Sequence, residues 1–307
     1  MTDLVAPGLA DVVGAPGDAG PQRSSRRALG RRLLIGIWGD KSALVGLSLV
    51  VFVLLFSFVG PLIYPTDQVH TSIVNANLST SGQHLLGTDG LGYDVLGRLM
   101  AGGQSTMEIA LAVALLATSL GAAWGSLAAL TGGALDSIMM RVVDVLLGIP
   151  GLFIVIFLAT AVRPNVWTLI GVIAVISWLV PARLVRGESL SIRTLSFVEA
   201  SRGFGAGKNW LLRRHIVPNA IGVIVVNVTF QVATAVLLLS YLSFLGFGLP
   251  PPTASWGAML STGLNNMFNG YWWEIYPAGV MVVITVIGFN LLGDALRNIL
   301  DARLRDR

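Results

Sequence analysis

The stretch RGFGAGKN, residues 202–209, carries three alternating glycines and a lysine, the ingredients of a phosphate-binding loop. Such a loop runs Gly, four residues, then Gly-Lys-Ser/Thr: its amides cradle phosphate and its hydroxyl holds magnesium. Counting back from Gly207-Lys208 puts Arg202 where the first glycine is needed, and Asn209 stands in the hydroxyl position. A dinucleotide fingerprint fails too, because Gly203 and Gly205 require a third glycine where Lys208 stands. A phosphate loop also needs a buried strand before it, and the flanks here are SLSIRTLSFVEAS and WLLRRHIVP. Nucleotide chemistry by this segment is therefore not expected.

Other chemical candidates are few. His84, Asp89 and Asp94 share a glycine-rich stretch, but Asp at such turns also caps backbone amides, and no metal site is assigned. GESLS at 187–191 is not a Gly-x-Ser-x-Gly elbow, and no His on an apolar run has a Ser or Asp partner. No catalytic residue is assigned. The chain has no cysteine, which excludes disulfides, Cys-ligated zinc and thiol catalysis.

The elements around these residues are those of an all-α integral membrane protein. Of 307 residues, 54% are hydrophobic and 12% charged, against about 25% charged in soluble domains; mean hydropathy is +0.76. Crossing a bilayer takes about 20 apolar helical residues. Six runs qualify, near 43–63, 105–130, 136–161, 166–185, 219–245 and 274–297. Residues 1–40, rich in Gly, Ala, Pro and Arg, read as a disordered basic tail, with 41–307 a six-span domain. The tail is not a secretory signal, since the following apolar run is too long and no small-x-small site closes it. With the amino terminus in the cytoplasm, all of the twenty Lys and Arg except Arg98 and Arg163 fall on the cytoplasmic side. The positive-inside rule thus sets both termini inside.

The long inner loop, 186–218, contains the glycine-rich stretch. Three alternating glycines, each costing about 1 kcal/mol in a helix interior, should turn the chain. Phe197, Ala200 and Phe204 share a helical face before the turn. After it, Asn209 is expected to cap a short helix, WLLRRHIV, that Pro218 ends. The expected shape is helix, tight turn, helix, with apolar knobs and basic residues.

On these residues the chain resembles a known family. EASRGFGAGKNWLLRRHIVPN, Glu199 to Asn219, looks like the EAA loop of ABC-importer permeases: Glu199, Ala200, Gly205 and Pro218 match, Ser201 replaces an Ala and Val217 a Leu. HLLGTDGLGYDVLGRLMAGG (84–103), MMRVVDVLLGIP (139–150), ARLVRGESLS (182–191), LSFLGFGLPPPTASWGAML (242–260) and FNLLGDALRNILDARLR (289–305) resemble the dipeptide/oligopeptide/nickel group, in its C-type permease. Leu239 stands where many of that group carry Glu, so no role of that acid carries over. The resemblance implies a type I ABC-importer permease fold in a bacterial inner membrane. It implies half of a translocation pore for short peptides or peptide-like solutes. The loop would couple it to the motor through Glu199, Ala200, Ser201, Gly205, Ala206, Lys208, Arg213, Arg214, His215 and Pro218. The implied partners are a second permease, two ATPase subunits, an extracytoplasmic solute-binding protein and membrane lipid, with no nucleic acid. This chain would bind no cofactor; ATP and magnesium would sit on the ATPase subunits.

Further residues have two readings each. Asn227, Gln231 and Thr234, at i, i+4 and i+7 of the fifth run, would line a water-accessible path or hydrogen-bond neighbouring helices. Arg141 with Asp144, Asp294 with Arg297, and Arg297 with Asp301 have the spacing of helical ion pairs. Trp256, Trp272 and Trp273 read as interfacial anchors. Gly148, Pro150 and Gly151 should kink the third span and Pro181 the fourth. Two other classes remain: an ion-coupled secondary transporter needs an acid or cation site at mid-membrane, whereas the acids here cluster at span ends, and a membrane-embedded enzyme needs a buried Ser/His, diaspartate or metal set, which the sequence does not offer.

Overall fold

The computed structural model describes residues 40–305, with side chains to 300. The tail expected over 1–40 lies, apart from Asp40, outside the described residues, as do the side chains of Asp301, Arg303, Arg305 and Arg307. Helices dominate: α1 (Lys41–Phe58), α2 (Gly60–Ile63), α3 (Val95–Thr131), α4 (Gly133–Leu147), α5 (Gly151–Ala161), α6 (Val166–Ser177), α7 (Leu179–Arg193), α8 (Ser196–Gly203), α9 (Lys208–Leu211), α10 (Val217–Phe244), α11 (Trp256–Asn266) and α12 (Tyr276–Arg305). The described residues contain no strand, only an isolated bridge between Thr88 and Asp94.

Four helical stretches are long and apolar enough to cross a membrane: Lys41–Phe58, Val95–Thr131, Lys208–Phe244 and Trp272–Leu300. Two bent pairs make six if each is one span: α4 with α5, bent by 83°, and α6 with α7, bent by 46°. The first bend falls at Gly148–Pro150, where a kink was expected. The second falls at Trp178, with Pro181 in the first turn of α7, where its missing N–H is tolerated.

The helices pack with α3 against α7 and α10, and α12 against α1 and α10. Small residues let α3 and α7 approach closely. A side chain on Gly121 would come within 2.6 Å of Pro181 Cβ, and one on Gly125 would overlap the Ala182 carbonyl oxygen. This is the small-xxx-small device of membrane helix pairs. The main core joins Met107, Ile109, Ile173, Val236, Leu239 and Leu242. Leu239 is fully buried in it, so an apolar side chain fits its surroundings.

Ion pairs clamp one end of the bundle, and they correct the expected helical pairing. Asp144 meets Arg183 of α7 at 2.5 Å rather than Arg141. Asp136 takes two bonds from Arg186, at 2.6 and 2.7 Å. Arg193 donates to the Ala129 carbonyl at 2.7 Å. The bend between α4 and α5 swings α4 across α7, so the carboxylates find cross-helix partners before those on their own helix.

The opposite end is a lid of ordered chain, and here the tryptophan expectation is corrected. Trp256 is fully buried and donates through Nε1 to the Leu99 carbonyl at 2.9 Å. Trp273 is 8% exposed and donates to the Thr88 carbonyl at 3.1 Å. Only Trp272, half exposed, is placed as an anchor would be. The helix α11, capped by Ser255 on Ala258 N, falls between the fifth and sixth apolar runs. It carries Trp256 into the core.

Candidate functional site: an exposed elbow at one end of the bundle

The glycine-rich stretch folds as an elbow. α8 ends at Gly203, Gly205 takes φ +84°, and α9 starts at Lys208. Gly205 is the residue type that adopts this left-handed conformation without steric cost. The helix, turn, helix expected from the sequence is present, with two corrections. Asn209 does not cap α9; Gly207 occupies the cap position and makes no side-chain bond. Pro218 does not end the second arm. A π-helical turn, Leu212–Ile216, joins α9 to α10, and Pro218 sits in the first turn of α10. There the absence of an N–H is tolerated, and Asn219 Nδ2 donates to the His215 carbonyl at 2.6 Å. The second arm is therefore the start of a continuous helical rod, Lys208–Phe244.

The elbow's inner side is packed. Val198, Leu211, Ile216 and Ala220 form a cluster with Leu130 and Ile192, and Ala206 packs on its margin. His215 ties the two arms together. Its ring lies 5.4 Å from Phe197 and 5.1 Å from Trp210, and its Nε2 is 3.3 Å from Ser201 Oγ. Ser201 Oγ also donates to the Phe197 carbonyl at 2.8 Å.

The outer side is bare. Phe204 at the tip is 93% exposed, and Trp210 and Phe197 are about half exposed. Glu199, Ala200, Gly205, Lys208, Arg213, Arg214 and Pro218 are exposed as well. Glu199 makes no ion pair among the described residues. Asn209, Trp210, Arg213 and Arg214 line a shallow depression of about 290 Å³. Trp210 was not singled out in the sequence, although a Trp beside a basic pair on a short polar helix was a usable signal.

The candidate path residues separate. Asn227 and Gln231 are buried, while Thr234 is exposed and bonds to its own helix at the Phe230 carbonyl. Gln231 Nε2 donates across to the Ser177 carbonyl, the carbonyl freed where α6 breaks from α7. Asn227 bonds to the Val223 carbonyl at 3.2 Å and lines a cavity of about 270 Å³ with Glu188 and Arg297.

At the far end, the candidate metal residues serve the backbone. Asp94 caps α3 on Gly97 N at 2.8 Å, and its other oxygen takes Tyr64 Oη and His84 Nδ1, each at 2.9 Å. Asp89 Oδ1 accepts from the amides of Leu91 and Tyr93.

With this geometry in place, similarity to known proteins decides the class. The model of the family "binding-protein-dependent transport system inner membrane component" matches residues 121–306. The chain belongs to this family. A second model, the N-terminal TM domain of oligopeptide transport permease C, matches residues 38–79. The dipeptide transport system permease protein DppC of Bacillus subtilis (strain 168) is 38% identical over 266 residues, 87% of this chain and 83% of that protein. The oligopeptide transport system permease protein OppC of the same organism is 38% identical over 289 residues, 94% of each. OppC of Escherichia coli (strain K12) is 37% identical over 268 residues, 87% and 88%. Among solved structures, an amino acid ABC transporter with histidines overlaps 68% of this chain and 94% of its own, at 14% identity and a TM-score of 0.43. The family model and the curated relatives make the chain a membrane-embedded permease component of an ABC transport system. The expected resemblance holds over both the first span and the segment that includes the elbow.

Proposed function

We propose that this permease forms half of a pore for short peptides or peptide-like solutes and takes its driving force from ATPase subunits docked on the elbow. The carrying observation is the tip: Phe204 is almost wholly exposed directly above a packed cluster. A large aromatic held out on a short turn, between arms that carry Arg202, Lys208, Arg213 and Arg214, is a surface shaped for a partner. The solute class follows the names of the relatives. Direction follows the arginines: elbow and both termini in the cytoplasm, the 64–94 segment outside.

The mechanism is mechanical. The elbow's second arm continues without a break into α10 through the π-helical turn. Displacement of Phe204 by a closing pair of ATPases is passed along that rod to Gln231 and the broken joint between α6 and α7. Rocking of the bundle against a second permease would then alternate access to the pore, with Asn227, Gln231 and Thr234 placed along the moving helix. A solute-binding protein would deliver from the far side. This chain's residues supply no hydrolysis and hold no cofactor; ATP and magnesium belong to the motor subunits.

The test is a Glu199→Ala, Gly205→Val double variant, assembled with its partner subunits in membranes. Insertion should be normal, and solute-stimulated ATP turnover and uptake should both be lost. Normal uptake would contradict the coupling role.

A further inference from the structure

A cavity of about 560 Å³ lies at the end opposite the elbow, between the 77–98 stretch and the region from Leu249 to Glu274. That volume is within the range of about 300–1,000 Å³ typical of small-molecule sites. Its chemistry is lopsided. Glu274, 4% exposed, accepts Asn266 Nδ2 on Oε2 at 2.9 Å and leaves Oε1 without a partner. Asn77 Oδ1 is buried and also without a partner. Both residues line the cavity, and Gly90, which is exposed, lies between Asn77 and the Asn266 that Glu274 holds: a side chain there would meet Asn266 Nδ2 at 3.4 Å and Asn77 Oδ1 at 3.6 Å. A third acceptor, Asp89, lines the same cavity. Burial holds the Asp89 carboxyl above its ordinary value, against the amides of Tyr93 and Leu91 and the Arg98 guanidinium. Arg98 is itself engaged, donating to the Pro252 carbonyl at 2.9 Å and lying over the Tyr93 ring.

A buried carboxylate oxygen and a buried amide oxygen, both lacking donors, are costly unless something supplies hydrogens. No group of three His, Cys, Asp or Glu suited to a metal ion occurs among the described residues. What the site lacks is a compact cation with several N–H bonds. We infer that this cavity binds a primary ammonium group, the amine end of a peptide-like solute, through Glu274 Oε1 and Asn77 Oδ1. The lack of a side chain at Gly90 leaves the approach open, and the remaining volume takes the rest of the solute. For the solute class the inference rests on the proposed function; for the ammonium group it rests on these acceptors alone.

The experiment is saturation-transfer NMR on the full-length chain in lipid nanodiscs, with alanyl-alanine as probe. Wild type should bind it, and N-acetyl-alanyl-alanine should bind about tenfold more weakly, the scale of one lost charge-assisted hydrogen bond. Methylammonium chloride should compete, and sodium chloride at equal ionic strength should not. Glu274→Gln keeps the shape of the side chain and should remove the difference between free and acetylated probe. If that variant fails to fold, as judged by its melting temperature, the acetylation and competition results on wild type decide. Equal binding of both probes, equal competition by sodium, or no binding of alanyl-alanine would each overturn the inference. None of these outcomes depends on ATP or on the elbow, so a failed transport test and a failed ammonium test remain distinct results.

Discussion

The α11 region and the elbow place their largest aromatic residues differently. At the end carrying the 64–94 segment, Trp256 and Trp273 are sunk into the fold and each indole N–H reaches a backbone carbonyl. At the elbow, Phe204, Trp210 and Phe197 stand out, although a packed cluster lies directly beneath them. Both ends had the means to bury an aromatic. The difference lies in what covers them: α11 carries Trp256 into the core, whereas nothing among the described residues covers Phe204, and at the far end Phe268, 90% exposed, and Trp272 stay uncovered as well.

That contrast can be broken by substitution. The largest effect should come from Trp256→Ala, which removes a fully buried indole and its bond to the Leu99 carbonyl. A loss of about 3–5 kcal/mol is expected, read as a lower melting temperature in detergent. Phe204→Ala is the counterpart at the elbow. It should change stability by less than about 0.5 kcal/mol, yet lower solute-stimulated ATP turnover by about tenfold or more, as an interface anchor does. A destabilising Phe204→Ala with intact turnover would reverse the comparison.

Smaller effects sharpen it. Asp94→Ala deletes a helix cap and the bonds that Tyr64 and His84 make to it, at a cost of about 2 kcal/mol; protease nicking within 64–94 should rise while the elbow's nicking stays unchanged. The smallest effect concerns Asp67, whose carboxyl is held down to about 2 by the amides of His70 and Val69 and the His70 ring. A depressed value means its contribution is present above the unfolded value of about 4 and is lost as pH falls toward about 2. Exchange of the Val69 and His70 amides should speed up over that window. It is an exposed turn, so the rest of the bundle should not respond.

Much of this was legible in the sequence because it depends on local pattern. Long apolar runs place the spans, and the glycines at 203–207 place the turn. The breaks at Gly148–Pro150 and near Pro181 follow from backbone chemistry. What the sequence hid depends on which helices meet. Asp144 has Arg141 three residues away, but its partner is Arg183, thirty-nine residues on. The tie from Gln231 to the Ser177 carbonyl, fifty-four residues away, has no local signal either. Trp256 looked interfacial because it follows a Pro-rich outer segment; the helix that buries it has eleven residues, too few to register as a span. Asn209 looked like a cap, but the helix begins one residue earlier. The outer cavity draws on residues from 77 to 274, a juxtaposition no local pattern contains.

The absence of cysteine makes one measurement direct. Phe204→Cys, labelled with a membrane-impermeant maleimide, reports which side the elbow faces and whether anything covers it. The label should react in inside-out vesicles and not in right-side-out ones, and co-assembly with the ATPase subunits should protect it. Reaction from the outer side, or equal labelling with and without those subunits, would contradict the claim that this chain receives its driving force through the elbow.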